Sequence, residues 1–342
     1  MLNATSMFDR RINLYFYDTA GSPLGQILTP DIGPKPDIKV EGVILNSNMA
    51  ISSTVTVTNL ERTIDVDSVG FIRAECFYGG SAVEQILRKS FVYKVLYADQ
   101  SKQPPDRQVC FNCLTAGFSS DLAESYVTIT AQKDADGKLL PFTHTQLCSL
   151  FIQAYNRSVV ALVGGLIAEL KLAPVPVYNG TEAYAIAQIY LNEGAYSLYD
   201  MLDILSTSIK NREQLKSDPS KFVNYYPLAV FVEDNALQVV PNPSLNKDTK
   251  LSPKFLELTY IKSAYRRGSI VHVSCLFDPR ISQSTLIKLS GSAIYGKRTL
   301  GAIVPIASES VAFYPVAGIR YVFSTVGENQ MDFQGAIPSV SL

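Results

Sequence analysis

Five cysteines and two histidines are the residues of this chain best suited to nucleophilic, redox or metal chemistry. Cys110 and Cys113 form a C-x-x-C, the spacing of a dithiol redox pair or of half a zinc site. They fall in VCFNCL, which reads as a strand, and a strand turns positions i and i+3 to opposite faces. No second C-x-x-C and no H-x-x-x-H supplies the two further ligands that zinc requires. With Cys76, Cys148 and Cys275 they form an odd set in a chain read as cytosolic, so all five are expected as free, buried, apolar residues. His144 and His272 lie far apart. His272 alternates with Val271, Val273 and Cys275, where a packed neutral imidazole is expected, and a histidine base needs a positioned partner. The carboxylates Asp134/Asp136 and Glu233/Asp234 could serve as acid and base of a glycosidase. Their settings, DADG and EDN, are turn sequences in which Asp and Asn side chains satisfy local backbone. The pairs Arg266-Arg267 and Lys297-Arg298 are isolated and read as solvated surface. Neither a G-x-S-x-G elbow, a phosphate-binding loop nor an H-E-x-x-H occurs. The expectation is a chain that is not an enzyme and has neither cofactor nor metal.

The elements that would position any site are mostly strands. At 342 residues the chain should hold roughly two compact units, at about 150 residues each. Net charge is −1 with only 18% charged residues, which excludes disorder and argues against a surface dominated by polyanion binding. Apolar residues make up 47%, with 19 Tyr, 16 Phe and no Trp, a composition suited to sheets and assembled surfaces. The first residues mix acidic and basic side chains where a secretory signal needs an apolar run. The apolar run Val159–Ala168 falls short of the ~20 residues of a spanning helix. A soluble protein made in the cytoplasm, with no membrane partner, is expected.

Residues 11–17 alternate Ile12, Leu14 and Phe16 with Arg11, Asn13, Tyr15 and Tyr17, the period of a half-buried strand. Ile38–Leu45, Ser52–Leu60, Phe71–Tyr78 and Ser90–Tyr97 follow, broken by Gly79-Gly80 and Pro104-Pro105. Helical periodicity then appears over Thr145–Tyr155 and Ser158–Leu172. It returns over Tyr196–Lys210, where Leu198, Met201, Leu202 and Leu205 share one face behind a Ser197/Asp200 capping signal. A hairpin is expected at Leu228–Val232 and Leu237–Val240, and strands return in VHVSCLFDP, STLIKLSG and AGIRYVFSTV. No repeat of 20 to 50 residues is present, which excludes solenoids. The predicted class is α+β, mainly β. The expected division is 1–103 as a first β-barrel, 104–190 as a mixed α/β domain, and 191–342 as a second β-barrel with a helix and C-terminal strands, the domains interleaved.

The order of these motifs resembles the central baseplate hub proteins of contractile-tailed bacteriophages. TVTVTNL (54–60) and IRAECFYGG (72–80) are similar to strands of their opening barrel. LYDMLDILSTSI (198–209), EDNALQVVPNP (233–243), VHVSCLFDPRI (271–281) and YPVAGIRYVFSTVGE (314–328) follow in the order of a leucine-rich helix, a hairpin, a strand ending in Pro and a last strand. Asn235 and Ala236 stand where the family commonly has Gly, and Tyr321 where His is frequent. The resemblance implies two tube-like barrels per chain and a homotrimer that matches a six-fold tail tube to a three-fold central spike. Its implied partners are itself, the tube protein and the spike, with tape-measure and baseplate wedge proteins as further contacts, and DNA only in transit. It implies a location at the distal end of a virion tail. Tyr15, Tyr17, Thr54, Thr56 and Thr58 are the interface or lumen candidates, as polar and aromatic faces of strands. Alternatives are the hub of a tailocin or contractile injection system, a siphophage tail tip, or a β-rich receptor- or carbohydrate-binding protein. A cryptic glycosidase would lose activity on Asp134→Asn and Asp136→Asn.

Overall fold

The computed structural model describes residues 9–30, 32–44, 52–60, 63–79, 88–101, 107–117, 120–160, 166–167, 184–186, 189–207, 209–211, 228–233, 236–241, 256–258, 260–267, 270–282, 285, 287–289, 295–297, 303–305, 311–315 and 318–336. The N-terminal strands are β1 (Arg10–Tyr17), β2 (Pro23–Ile27), β3 (Ile38–Ile44), β4 (Ser52–Thr58), β5 (Phe71–Tyr78), β6 (Lys89–Ser101) and β7 (Gln108–Thr115). A mixed segment follows with α1 (Ser120–Glu124), β8 (Tyr126–Ile129), α2 (His144–Tyr155), β9 (Tyr184–Ile186), β10 (Gly194–Ser197), α3 (Leu198–Thr207) and β11 (Ile209–Asn211). The hairpin is β12 (Leu228–Glu233) with β13 (Ala236–Pro241). The C-terminal strands are β14 (Leu256–Glu257), β15 (Ile261–Arg267), β16 (Ile270–Cys275), β17 (Ile287–Leu289), β18 (Tyr295–Lys297), β19 (Ile303–Pro305), β20 (Val311–Pro315), β21 (Ile319–Ser324) and β22 (Asn329–Ala336). Past Val160 most of the expected Ser158–Leu172 helix lies outside the described residues, as do Asp234, Asn235 and Arg298.

The fold is α+β and mainly β, built on one large sheet ordered β19-β18-β15-β16-β22-β21-β3-β4-β7-β6-β5-β1-β2. Alternation makes it two-faced: Ile12, Leu14 and Phe16 of β1, Val55 and Val57 of β4, and Phe111 and Cys113 of β7 all point into one core. The sheet curls until β1 meets β21, and the Arg10 guanidinium donates to the Gly327 carbonyl, in the turn after β21, at 2.6 Å. Across the interior the Tyr93 and Tyr321 hydroxyls hydrogen-bond to each other, and the Phe91 and Tyr321 rings stack with centroids 4.6 Å apart. Gly42, opposite Tyr321 in β3, has no side chain because a Cβ there would collide with the Tyr321 and Ser53 hydroxyls. The barrel interior is therefore filled by side chains, as small barrels are, and is not itself a pore.

Two boundaries fall elsewhere than expected. β7 begins after residue 103 yet pairs with β4 and β6, so the N-terminal sheet runs on to Thr115. The C-terminal strands extend the same sheet, with β22 as the shared strand: it pairs with β21, β16 and β20. Val271, Ile287 and Phe333 belong to one continuous core with Ile12, Val55 and Phe111.

A second core gathers α1, α2, α3, β8 and β10, and so spans the boundary expected at 190/191. Leu198, Met201, Leu202 and Leu205 are all buried in it, as their helical spacing requires. α3 starts after β10 because Ser197 caps it: its hydroxyl accepts from the Asp200 N–H at 3.0 Å. α2 is capped by Thr143, with Gln146 returning a bond to the Thr143 N–H at 2.8 Å, a reciprocal box. After Tyr155 the helix widens into a π turn over Asn156–Val160. This unit sits on the sheet through Phe71 and Val92, and Lys94 pairs with Asp121 at 2.9 Å beside it.

Candidate functional site

Thr54, Thr56 and Thr58 stand on the outer face of β4 while Val55 and Val57 fill the barrel. Their neighbours across the ladder are Glu41 and Asn112 for Thr54, Lys39 and Cys110 for Thr56, and Gln108 for Thr58. Lys39 and Glu41 form an ion pair at 2.6 Å, and the Thr58 hydroxyl donates to the Asp37 carboxylate at 3.2 Å. The row ends at Asn59, which adopts the left-handed conformation (φ 58°) that Asn tolerates better than most residues. Asn59 is locked to the next strand: its N–H donates to the Arg107 carbonyl at 2.6 Å and its side-chain oxygen accepts from the Arg107 N–H. The TVTVTN motif is thus a strand followed by a fixed turn. Lys39, Thr56, Thr58, Cys110, Ser324 and Glu328 line a shallow open depression of about 350 Å³ on this face.

Tyr15 and Tyr17 are not part of that surface, because β7, β6 and β5 separate β1 from β4. Tyr15 lies under the Arg73 guanidinium, 4.3 Å from its ring centroid, and its hydroxyl donates to the Glu75 carboxylate at 3.4 Å. Tyr17 is partly buried and packs against the second core. The five candidates therefore form one threonine row and two separately engaged tyrosines.

The groups that suggested chemistry are placed apart. Cys113 points into the barrel, whereas Cys110 is half-buried on the outer face, 3.7 Å from the Thr56 hydroxyl. Burial pushes the Cys148 thiol up to about 11 and the thiols of Cys76, Cys113 and Cys275 higher still. His272 is on the outer face of β16, not packed inside: it is half-exposed and stacked on Tyr265 at 4.4 Å. The Asp134 carboxylate accepts from the N–H groups of Asp136 and Lys138, the pattern of a turn. Among the described residues no three His, Cys, Asp or Glu side chains gather as metal ligands. Also among them, no helix is long and apolar enough to cross a membrane.

Sequence reading missed the polar contacts that hold the barrel together. Besides Tyr93 and Tyr321, the buried Tyr78 hydroxyl donates to the Phe277 carbonyl at 2.6 Å and accepts from Asn329 at 2.8 Å. Lys89, 2% exposed, donates to the Ile281 carbonyl. These partners are about 190 to 250 residues apart in sequence, and no local pattern announces them.

No family model and no curated protein matches the sequence. Solved structures do share its general form. A tail protein from Neisseria meningitidis is 8% identical, with 96% of each chain covered and a TM-score of 0.49. A 43 kDa tail protein of a Shewanella oneidensis prophage is 10% identical over 96% of this chain and 97% of that one, at 0.45. An Escherichia coli type VI secretion component, described as structurally similar to bacteriophage tail proteins, is 8% identical over 91% of this chain and 76% of its own, at 0.45.

Proposed function

We propose that this chain is a structural, non-catalytic hub of a phage-type tail baseplate, a homotrimer at the distal end of the tail. In this role it adapts a six-fold tube to a three-fold central spike and leaves a channel through which DNA passes. The observation that carries the reading is the meeting of the two ends of the chain. The strands bearing TVTVTNL and IRAECFYGG and the strand bearing AGIRYVFSTV, more than 230 residues apart in sequence, build one barrel, with β21 paired to β3. Of the motifs that resemble the hub family, TVTVTNL, IRAECFYGG, VHVSCLFDPRI and AGIRYVFSTV therefore share one sheet.

With the barrel interior filled by side chains, the channel in this reading runs between copies, outside the barrels. A hexameric tube and a trimeric spike need an adaptor of cyclic symmetry, which identical chains provide by closing a ring. The threonine face suits the wall of such a channel: Asp37 and Glu328 border the depression beside the Lys39–Glu41 pair. A surface of that charge does not hold phosphates, so DNA passes without binding. Tube, spike, tape-measure and wedge proteins are the partners this role requires.

Negative-stain electron microscopy of the purified chain tests the reading. The expected end-on view is a three-fold particle of about 112 kDa, three times 37.5 kDa, with an axial hole. Compact monomers or a solid three-fold rod would refute it and favour a receptor- or carbohydrate-binding protein.

A further inference from the structure

The outer face of β1 and β5 carries two arginines that share one carboxylate. The pairing register sets Tyr15 beside Arg73, Asn13 beside Glu75 and Arg11 beside Phe77. The Arg73 guanidinium lies over the Tyr15 ring at 4.3 Å, and that of Arg88, just before β6, lies over the Phe77 ring at 4.9 Å. A guanidinium resting on a ring is held by its face, which leaves the N–H donors on its edge for an anion. Glu75 answers both only in part. Its Oε2 accepts from Arg88 Nη1 at 3.2 Å, whereas its Oε1 is 3.8 Å from Arg73 Nε, too far for a hydrogen bond. The enclosed Arg73 Nε–H has no acceptor at all. The Glu75 side chain is 12% exposed, but those of Arg73 and Arg88 are 31% and 43% exposed, so their remaining donors are open to a partner.

Beside them Arg11 and Lys35 both pair with Asp9. Four cations against two carboxylates leave this patch two positive charges in excess, on a chain whose net charge is −1. Exposed ion pairs add little to stability, so a second arginine on one carboxylate does little for the fold.

We infer that the Tyr15–Arg73–Arg88 face docks an acidic segment of a partner protein, whose side-chain carboxylates take the open edges of the two arginines. Charge favours that occupant over a nucleic acid. The excess is two charges, and Glu75 sits between the guanidiniums, where single carboxylates can straddle it. A phosphate backbone is charged at every residue and binds by neutralising a longer row. Tyr15 acts through Arg73, which it holds in position. This surface belongs to one chain and does not depend on the hub reading.

Fluorescence anisotropy of a fluorescein-labelled oligoglutamate peptide, titrated with the full chain at low salt, tests the inference, with an oligothymidylate of equal length as the comparison. Arg88→Gln should weaken peptide binding about 10-fold, the loss of one charge-assisted contact. Arg320→Gln, at an exposed position on β21, should leave it unchanged. Glu75→Gln removes the competing carboxylate and should tighten binding, an effect that a damaged fold does not produce. Absence of saturable peptide binding, an unchanged affinity in Arg88→Gln or a weakened one in Glu75→Gln would each overturn the inference. Oligothymidylate bound as tightly as the peptide, with the same response to Arg88→Gln, would overturn it in favour of a phosphate-binding face.

Discussion

The bond between Tyr93 and Tyr321 joins strands 228 residues apart and is the most direct check that the C-terminal strand belongs to the N-terminal barrel. Both side chains are fully enclosed, and burial raises both hydroxyls far above their usual range, so the bond is between neutral groups. Neutral bonds of this kind contribute about 1 kcal/mol net, but a partner left alone in the core costs about 1–3 kcal/mol. Tyr321→Phe orphans the Tyr93 hydroxyl and should lose about 1–3 kcal/mol, whereas Tyr93→Phe leaves the Tyr321 hydroxyl beside that of Ser53 and should lose less, about 1 kcal/mol. The double variant removes both polar groups while keeping both rings, including the Phe91 stack on Tyr321, so it should lose less than the sum. The expected coupling is about 1 kcal/mol, within the range of about 0.5–3 kcal/mol for residues in direct contact. Urea unfolding followed by tyrosine fluorescence reads it, with the comparison made at unchanged slope. Additivity within about 0.5 kcal/mol would mean that the hydroxyls do not meet, and the barrel as described would be wrong.

Ser197→Ala should destabilise the helical unit by about 1 kcal/mol through loss of the α3 cap, seen as faster hydrogen exchange in α3 while β1 and β5 stay protected. The Asp9 carboxyl is held below its ordinary value, first by the Arg11 hydrogen bond and then by Lys35, against the opposing effect of burial. A depressed carboxylate stabilises the fold above its unfolded value of about 4, and that stability fades as pH falls through the lower folded value. Asp9→Asn should accordingly flatten the acid limb of a plot of urea midpoint against pH, and an unchanged limb refutes the assignment. In native protein Cys110 should be the first thiol alkylated by iodoacetamide, with Cys76, Cys113, Cys148 and Cys275 protected until unfolding. Peptide mass spectrometry separates the five.

Local periodicity determined much on its own. Alternation in RINLYFY and TVTVT set Ile12 and Val55 on the face opposite their polar neighbours, and the helical spacing of Leu198, Met201, Leu202 and Leu205 placed α3. It also put Cys110 and Cys113 on opposite faces. The last residues of β6 escaped it, because Ala98, Asp99, Gln100 and Ser101 are weak strand formers and pairing with β7 alone extends the strand past Tyr97. Pairing partners were illegible for the same reason: period two says which side chains share a face, never which strand lies alongside. Only the folded chain seats Tyr321 against Tyr93, spreads one core across both ends of the sequence and packs Tyr17 against the helical unit. Which residues turn inward follows from spacing along one strand, whereas which surfaces remain open follows from contacts between residues hundreds of positions apart.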